Sequence, residues 1–555
     1  MEKKPIGQLL KELGYVTEEQ IHIALEVKKI KGGLLGEILV ALAFVSPIEV
    51  AEAIAIQAGK PFIDLAEYPP DKEALGLINK ELALQLEIIP LKKRGDVLDI
   101  AMTNPYDINA VDIVRRRTGL DINIFVTDKE SLKKAIEINY FLLEHPIESE
   151  IENIIQNVKK GNITSYIPRL VNLIIDKAII ERATDIHISP ENLATHIFYR
   201  IDGIMRHFFS LPSSVHSAIA SRIKVLAGLD IAEQRLPQDG SFSYEFFNEE
   251  YDFRVSTVLT AYGENIVLRI LYKNISLFNL KKLGFEEYLY KKIENALEKP
   301  QGIFLVTGPT GSGKTTTLYA SLRRINSLHR NILAVEDPIE YKFPFIKQTQ
   351  VNEKAGFTFA RAIKAFLRQD PDVILVGEIR DKETAEMAIR ASITGHLVLS
   401  TLHTNDAVSA IPRLTDIGIK EYMVAAGVYR ILAQRLIRKV CNFCKEEIQI
   451  PIKKLIELGF DREFIQQHTE GKDHIKINRG KGCDYCNNTG FLGRVAIGEL
   501  LVIDDEIGDM IIRKEPPLSI LYKAKNKGML TLKEDGFLKV IKGLTTPEEV
   551  IRVVG

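Results

Sequence analysis

Three groups of residues in this chain have the types and the spacing to do chemistry. The first is Gly308-Pro309-Thr310-Gly311-Ser312-Gly313-Lys314-Thr315, followed directly by Thr316. It fits the pattern G-x-x-x-x-G-K-[ST], whose glycines let backbone N–H groups curl around a phosphate. Lys314 would place a point charge on the β- and γ-phosphates of a nucleotide such as ATP, and the Thr315 hydroxyl would ligate Mg²⁺. The second group stands at the ends of apolar runs: Glu336 after Ile332–Val335, Glu378 after Val373–Val376, and His403 after Leu397–Thr401. Hydrolysis needs an anchor for Mg²⁺, a group that orients water and a sensor of the γ-phosphate. Glu378 is assigned to Mg²⁺ or its water shell and Glu336 to the water, and spacing alone leaves the two roles exchangeable. His403 is a candidate functional histidine, while His396 reads more readily as structural.

The third group comprises all four cysteines, Cys441-x-x-Cys444 and Cys483-x-x-Cys486, with 38 residues between the knuckles. Two such knuckles make a tetrahedral S₄ site for Zn²⁺, closed to water and therefore structural. Redox pairs or an iron–sulfur cluster are the alternatives.

These groups need a frame. Residues 296–440 alternate apolar strands with helices, which predicts a parallel sheet covered on both faces. The loop follows a strand at Ile303–Thr307 and opens a helix at Thr316–Ile325. Ligands of open parallel sheets bind outside the carboxyl ends of the strands, so Lys314, Glu336, Glu378 and His403 should gather in one region.

The rest of the chain divides by pattern. Residues 1–60 carry a weak repeat: Ile6-Gly7-Gln8-Leu9-Leu10 and Leu35-Gly36-Glu37-Ile38-Leu39 each precede a helix-start signal, Thr17-Glu18-Glu19-Gln20 and Ser46-Pro47-Ile48-Glu49. Residues 61–140 read as a small α/β unit with short strands around Gly95-Asp96. Residues 141–165 are polar, including Lys160 and Gly161, and read as a linker or mobile helix. Residues 166–295 read as a mixed α/β domain with hairpins at Asp202-Gly203 and across Asn248-Glu249-Glu250. Residues 441–498 hold the cysteines, and 499–555 read as helical.

Lys plus Arg (73) nearly cancels Asp plus Glu (74) among 555 residues, so no global basic excess advertises nucleic-acid binding. No apolar run has membrane-spanning length and no signal-peptide core follows Met1. A cytoplasmic location is expected, with membrane association only through partners.

The run Thr307–Thr316, the segment Val335–Glu340, Leu367–Asp372 leading into Gly377-Glu378-Ile379-Arg380-Asp381, and Thr394-Gly395-His396 through Ala407 together resemble the secretion-ATPase superfamily. Arg235–Gly240 and Asp252–Thr257 resemble its preceding domain. The tetracysteine insert resembles the assembly branch, the type II secretion and type IV pilus extension ATPases. The resemblance implies an α/β fold with a RecA-like P-loop ATPase core, a preceding mixed α/β domain, the insert and a small N-terminal helical domain. It implies a homo-hexamer in which arginines among Arg200, Arg235, Arg254 and Arg269 approach the nucleotide. It also implies an inner-membrane platform protein, a membrane anchor protein, and pilin or pseudopilin subunits served indirectly. A related N-terminal domain binds cyclic di-GMP through repeats that begin Arg-Leu-Gly. This chain has Pro5-Ile6-Gly7 and Leu34-Leu35-Gly36 at those places, and Ala43 where the first repeat has Gly14, so docking to the anchor is the preferred reading. A nucleic-acid-translocating hexameric ATPase is the alternative function, disfavoured by the charge balance.

Overall fold

A computed structural model describes residues 4–159, 165–272, 278–326, 329–469 and 471–555. The chain forms two compact units, residues 1–50 with 274–555, and residues 51–273.

The first unit is built on a seven-stranded sheet. Its order is Ile346–Gln350, Ile332–Glu336, Val373–Val376, Leu397–Leu402, Gly302–Thr307, Val428–Val440 and Phe491–Val502. The first six strands run parallel and the last is antiparallel. Continuous apolar runs are what a doubly covered parallel sheet requires. Alternate residues serve two cores: Ile303, Leu305, Leu333 and Val335 face one, and Phe304, Val306, Ile332 and Ala334 face the other. The helix Lys314–Ile325 packs in the second core, with Leu318, Tyr319 and Leu322 buried.

One boundary differs from expectation. Phe491–Val502 pairs with Val428–Val440 from Val440↔Phe491 to Arg430↔Val502, so the end of the expected insert belongs to the core sheet. The insert proper runs between these strands and packs Leu455, Phe464, Ile465 and Ile477 into the first core. It holds a hairpin of Lys445–Pro451 with His474–Gly480 and the helices Ile452–Glu457 and Arg462–Thr469. Beyond the edge strand, four helices from Asp505–Ile512 to Pro547–Val554 supply Ile507, Ile511, Phe537 and Val550 to the first core.

The N-terminal repeat forms the helices Ile6–Glu12, Glu18–Lys31, Leu35–Ala41 and Pro47–Ala58. Thr17 with Gln20, and Ser46 with Glu49, exchange side-chain-to-backbone hydrogen bonds as capping boxes. Ala43 takes the left-handed conformation (φ +55°) that Gly14 takes in the first copy (φ +74°). The turn geometry therefore repeats although the glycine does not.

In the second unit, Ile88–Arg94, Val97–Met102 and Asp121–Val126 form a three-stranded sheet, with the expected turn at Gly95-Asp96. A six-stranded antiparallel sheet follows, in the order Ile204–Pro212, Ala194–Ile201, Asp185–Pro190, Gly263–Leu271, Glu249–Thr260, Gln238–Phe246. Its strands alternate buried and open residues, and the helices Ile167–Ile180 and His216–Ala227 share its core. Phe246↔Glu249 closes the last hairpin, so the turn is Phe247-Asn248 (φ +49° and +61°), not the expected Asn248-Glu249-Glu250. These two positive values are those of a tight I′ turn. Part of the expected linker is a packed helix, Ile147–Lys159, with Ile147, Ile151 and Ile154 buried at helical spacing. Lys160 and Gly161 lie outside the described residues.

Candidate active site

The phosphate loop leaves the Gly302–Thr307 strand and enters the Lys314–Ile325 helix, as the motif requires. Gly308 has φ +149°, and a Cβ there would lie 2.6 Å from the Gln434 carbonyl oxygen; at Gly313 (φ +88°) it would lie 2.8 Å from Gln434 Nε2. Both positions exclude a side chain. Lys314 folds back, its Nζ donating to the carbonyls of Gly308 (2.9 Å) and Pro309 (3.1 Å). Burial pushes its pKa down to about 8, the Glu378 carboxylate opposing and Arg435 adding to the fall. Thr315 is exposed and Thr316 half-buried at the helix start, where backbone N–H groups and the helix dipole favour an anion. Ser312 is buried, and its Oγ has no hydrogen-bond partner among the described residues. An orphaned hydroxyl inside a curled glycine loop fits a phosphate group as its missing acceptor.

A residue that sequence reasoning missed holds the loop from behind. Gln434, 1% exposed on the Val428–Val440 strand, donates from Nε2 to the Ser312 carbonyl (2.8 Å) and accepts from Thr317 Oγ1 (2.7 Å). Next to it, Arg435 donates to the Asn405 carbonyl (2.7 Å), fixing the segment after His403. Thr307 Oγ1 lies 2.7 Å from Thr404 Oγ1 and accepts from the Thr404 amide (2.9 Å), tying the same segment to the start of the loop.

The strand-end groups separate into two sets. Glu378 forms an ion pair with Arg380, and His403 Nε2 lies 3.8 Å from its other oxygen. Burial and the charge on Lys314 hold the His403 pKa below the ordinary histidine value, so the ring is neutral at pH 7. Lys314, Glu378, Arg380 and His403 thus act electrostatically on one another at the carboxyl ends of the parallel strands. Glu336 is 4% exposed and faces the helix: its carboxylate accepts from Tyr319 Oη and from Gln348 Nε2 (3.0 Å). Burial pushes its pKa up, and these two donors offset part of the rise. Asp381 caps the helix Lys382–Ile393 through the Thr384 amide (2.8 Å). His396 lies at the opposite end of its strand, with Nδ1 2.8 Å from the Ala391 carbonyl oxygen.

In the second unit, Arg200, Asp185, Arg269 and Arg254 stand side by side on four adjacent strands. Asp185 pairs with Arg269 (2.9 Å) and Arg200 (3.5 Å), while Arg254 Nη2 is buried and has no hydrogen-bond partner among the described residues. Arg235 is set apart on a loop and is 83% exposed, forked onto Glu233 (2.9 Å).

The four cysteine sulfurs lie within 4.8 Å of one another: Cys441–Cys483 at 3.8 Å, Cys444–Cys486 at 3.9 Å and Cys483–Cys486 at 3.7 Å. A tetrahedron with Zn–S of about 2.3 Å has edges of about 3.8 Å. Amides of Gly482 and Gly490 point at Cys444 and Cys486 (3.3 and 3.2 Å), as donors to thiolate ligands do.

The profile of the family described as "Type II/IV secretion system protein" matches residues 160–552. The chain belongs to that family. The fold and loop of this secretion-family member are those of a P-loop ATPase, an ATP hydrolase. A second profile, the MshEN domain, matches residues 58–140. The chain is 40% identical to the type IV pilus assembly ATPase PilB of Thermus thermophilus, over 94% of this chain and 59% of that one. It is 40% identical to type II secretion system protein E of Xanthomonas campestris pv. campestris, over 94% of this chain and 93% of that one. Among solved structures, the ATPase DotB of Legionella pneumophila superposes with a TM-score of 0.51 at 21% identity, over 69% of this chain and 94% of that one, a likeness of fold. No helix among the described residues is long and apolar enough to cross a membrane.

Proposed function

We propose that this protein is a homo-hexameric motor that couples ATP hydrolysis to assembly of a filament at the inner membrane, a type IV pilus or the pseudopilus of type II secretion. The observation that carries this is the convergence of Lys314, Glu378 and His403 on one side of the sheet, with His403 3.8 Å from Glu378. The names of the relatives supply the two filament systems. It is cytoplasmic and meets the membrane through a platform protein and an anchor protein.

Lys314 and the loop amides hold the nucleotide phosphates, and the Thr315 hydroxyl and Glu378 hold Mg²⁺ or its water shell. The ion supplies neutralisation of phosphate charge when bound. Arg380 positions the Glu378 carboxylate, and neutral His403 can donate a hydrogen bond toward the γ-phosphate. Glu336 is the candidate for taking the proton of the attacking water, for which its carboxylate must first exchange Tyr319 or Gln348 for that water. Arg254 and Arg235 supply positive charge to the transition state. Cys441, Cys444, Cys483 and Cys486 bind one structural Zn²⁺. The N-terminal repeats dock the anchor rather than cyclic di-GMP, since Pro5 and Leu34 bring no guanidinium.

Glu378→Gln tests the reading. Hydrolysis should fall at least about a hundredfold with ADP binding kept, as for loss of a transition-state group. Cells carrying the variant should lose the filament. Undiminished hydrolysis, or stimulation by nucleic acid without response to the platform protein, would overturn it.

A further inference from the structure

The helix that begins with Lys314 ends in a buried polar cluster that the active site does not use. Arg323, in its last turn, is 4% exposed. Its guanidinium donates to the Phe44 carbonyl from Nε (3.2 Å) and Nη2 (3.0 Å), and from Nη1 to the Phe278 carbonyl (3.1 Å). Nη2 also pairs with Glu49, whose side chain is fully buried. Glu49 is spoken for on both oxygens: Oε2 also accepts from the Ser46 amide (2.6 Å), and Oε1 accepts from Asn279 Nδ2. From the first repeat, Gln20 Nε2 caps the same helix end, donating to the carbonyls of Asn326 (3.1 Å) and Arg323 (3.3 Å). Both capping boxes of the N-terminal repeat therefore place a side chain on the last turn of the phosphate-loop helix.

A buried ion pair with every guanidinium nitrogen hydrogen-bonded is a poor source of net stability, and its use here is to select one geometry. Breaking it on one side strands a charge, so the pair is made or the repeat is undocked. The helix between Lys314 and Arg323 is a rigid rod of about 14 Å at 1.5 Å per residue. A shift of either end is felt at the other, and any effect of the repeat on nucleotide must be matched by an effect of nucleotide on the repeat.

We propose that Arg323 is a positioning residue: the Glu49–Arg323 pair latches the N-terminal helical repeat to the phosphate-loop helix, coupling seating of the repeat to occupancy of the loop. This rests on the ATP-binding reading above. A partner that pulls the repeat away would thereby loosen the loop's hold on nucleotide.

The test uses the full chain. ADP affinity is measured by calorimetry, and hydrogen exchange of residues 34–50 is followed with and without ADP. In the unaltered protein ADP should slow exchange across 34–50 several-fold. Glu49→Gln and Arg323→Gln should each weaken ADP binding about tenfold, within the usual range of couplings between sites. The double variant should be no worse than Arg323→Gln alone, because both substitutions break the same pair. If Glu49→Gln fails to fold, Gln20→Ala, which removes the cap together with the acceptor for the Thr17 amide but leaves the Glu49–Arg323 pair, should show the same loss of ADP-dependent protection at smaller size. ADP affinity unchanged in the variants, or exchange at 34–50 indifferent to ADP in the unaltered protein, refutes the latch. No ADP binding by the unaltered protein would instead refute the nucleotide reading beneath it.

Discussion

Gln434→Ala separates a residue that shapes the loop from one that merely fills the core. The substitution removes the donor to the Ser312 carbonyl (2.8 Å) and the acceptor for Thr317 Oγ1 (2.7 Å). Thr317 can turn its hydroxyl to a carbonyl one helical turn back, so its loss is small. The Ser312 carbonyl has no such recourse, and an orphaned buried acceptor costs about 1–3 kcal/mol. With the side-chain volume lost, unfolding free energy should fall by about 2–4 kcal/mol. If about 1–2 kcal/mol of that is spent re-forming the loop around phosphate, ADP binding weakens by roughly 5–30-fold, at 1.4 kcal/mol per tenfold. Calorimetric titration of ADP, beside thermal unfolding without nucleotide, reads both quantities. Gln434→Glu should be at least as harmful, because it sets an acceptor against the Ser312 carbonyl. A lowered melting temperature with ADP affinity within twofold of normal would refute the reasoning and leave Gln434 as packing.

Other expectations follow from the same geometry. Metal analysis should find about one zinc per chain, and chelation should unfold the segment between Val440 and Phe491 before the sheet; iron, or no metal, would contradict the site. Lys314 has its pKa lowered to about 8. The free protein therefore gives up the phosphate-binding ammonium as pH rises through 8, and ADP affinity at pH 9 should be about tenfold weaker than at pH 7, since roughly one molecule in eleven keeps the proton. Lys314→Arg, which cannot titrate in this range, should flatten that profile even if it binds more weakly throughout.

The phosphate loop and the strands around it were legible because each carries its signal locally: a glycine pattern, an apolar run, a polar end. What was not legible is which way a strand-end side chain turns. Glu336 is the last residue of its strand and faces Tyr319, whereas Glu378 lies beyond its strand and meets Arg380 and His403. Strand alternation makes that difference from a single position. Gln434 was missed for another reason. It sits in a thirteen-residue strand, Val428–Val440, that also carries Arg430, Arg435 and Arg438, so neither a clean apolar run nor strict alternation marks it. Its partners lie more than a hundred residues away. The edge strand Phe491–Val502 is divided between two expected regions because the cysteine pattern draws the boundary at 498, inside it. Glu49 closes a helix-start signal that the local sequence shows; its second role needs Arg323, 274 positions later.

The insert leaves the sheet at Val440 and returns at Phe491, and these two residues are directly paired. Its two ends are therefore as close as the ends of a hairpin turn. Covalently the segment is a long hairpin loop, but by packing it is part of the ATPase unit: Ile450, Leu455, Phe460, Phe464, Ile465, Ile475 and Ile477 lie in the first core, and Phe460 and Phe464 meet Phe537 of the C-terminal helices. A disturbance at the cysteines therefore has a packed route to the core beneath the parallel sheet.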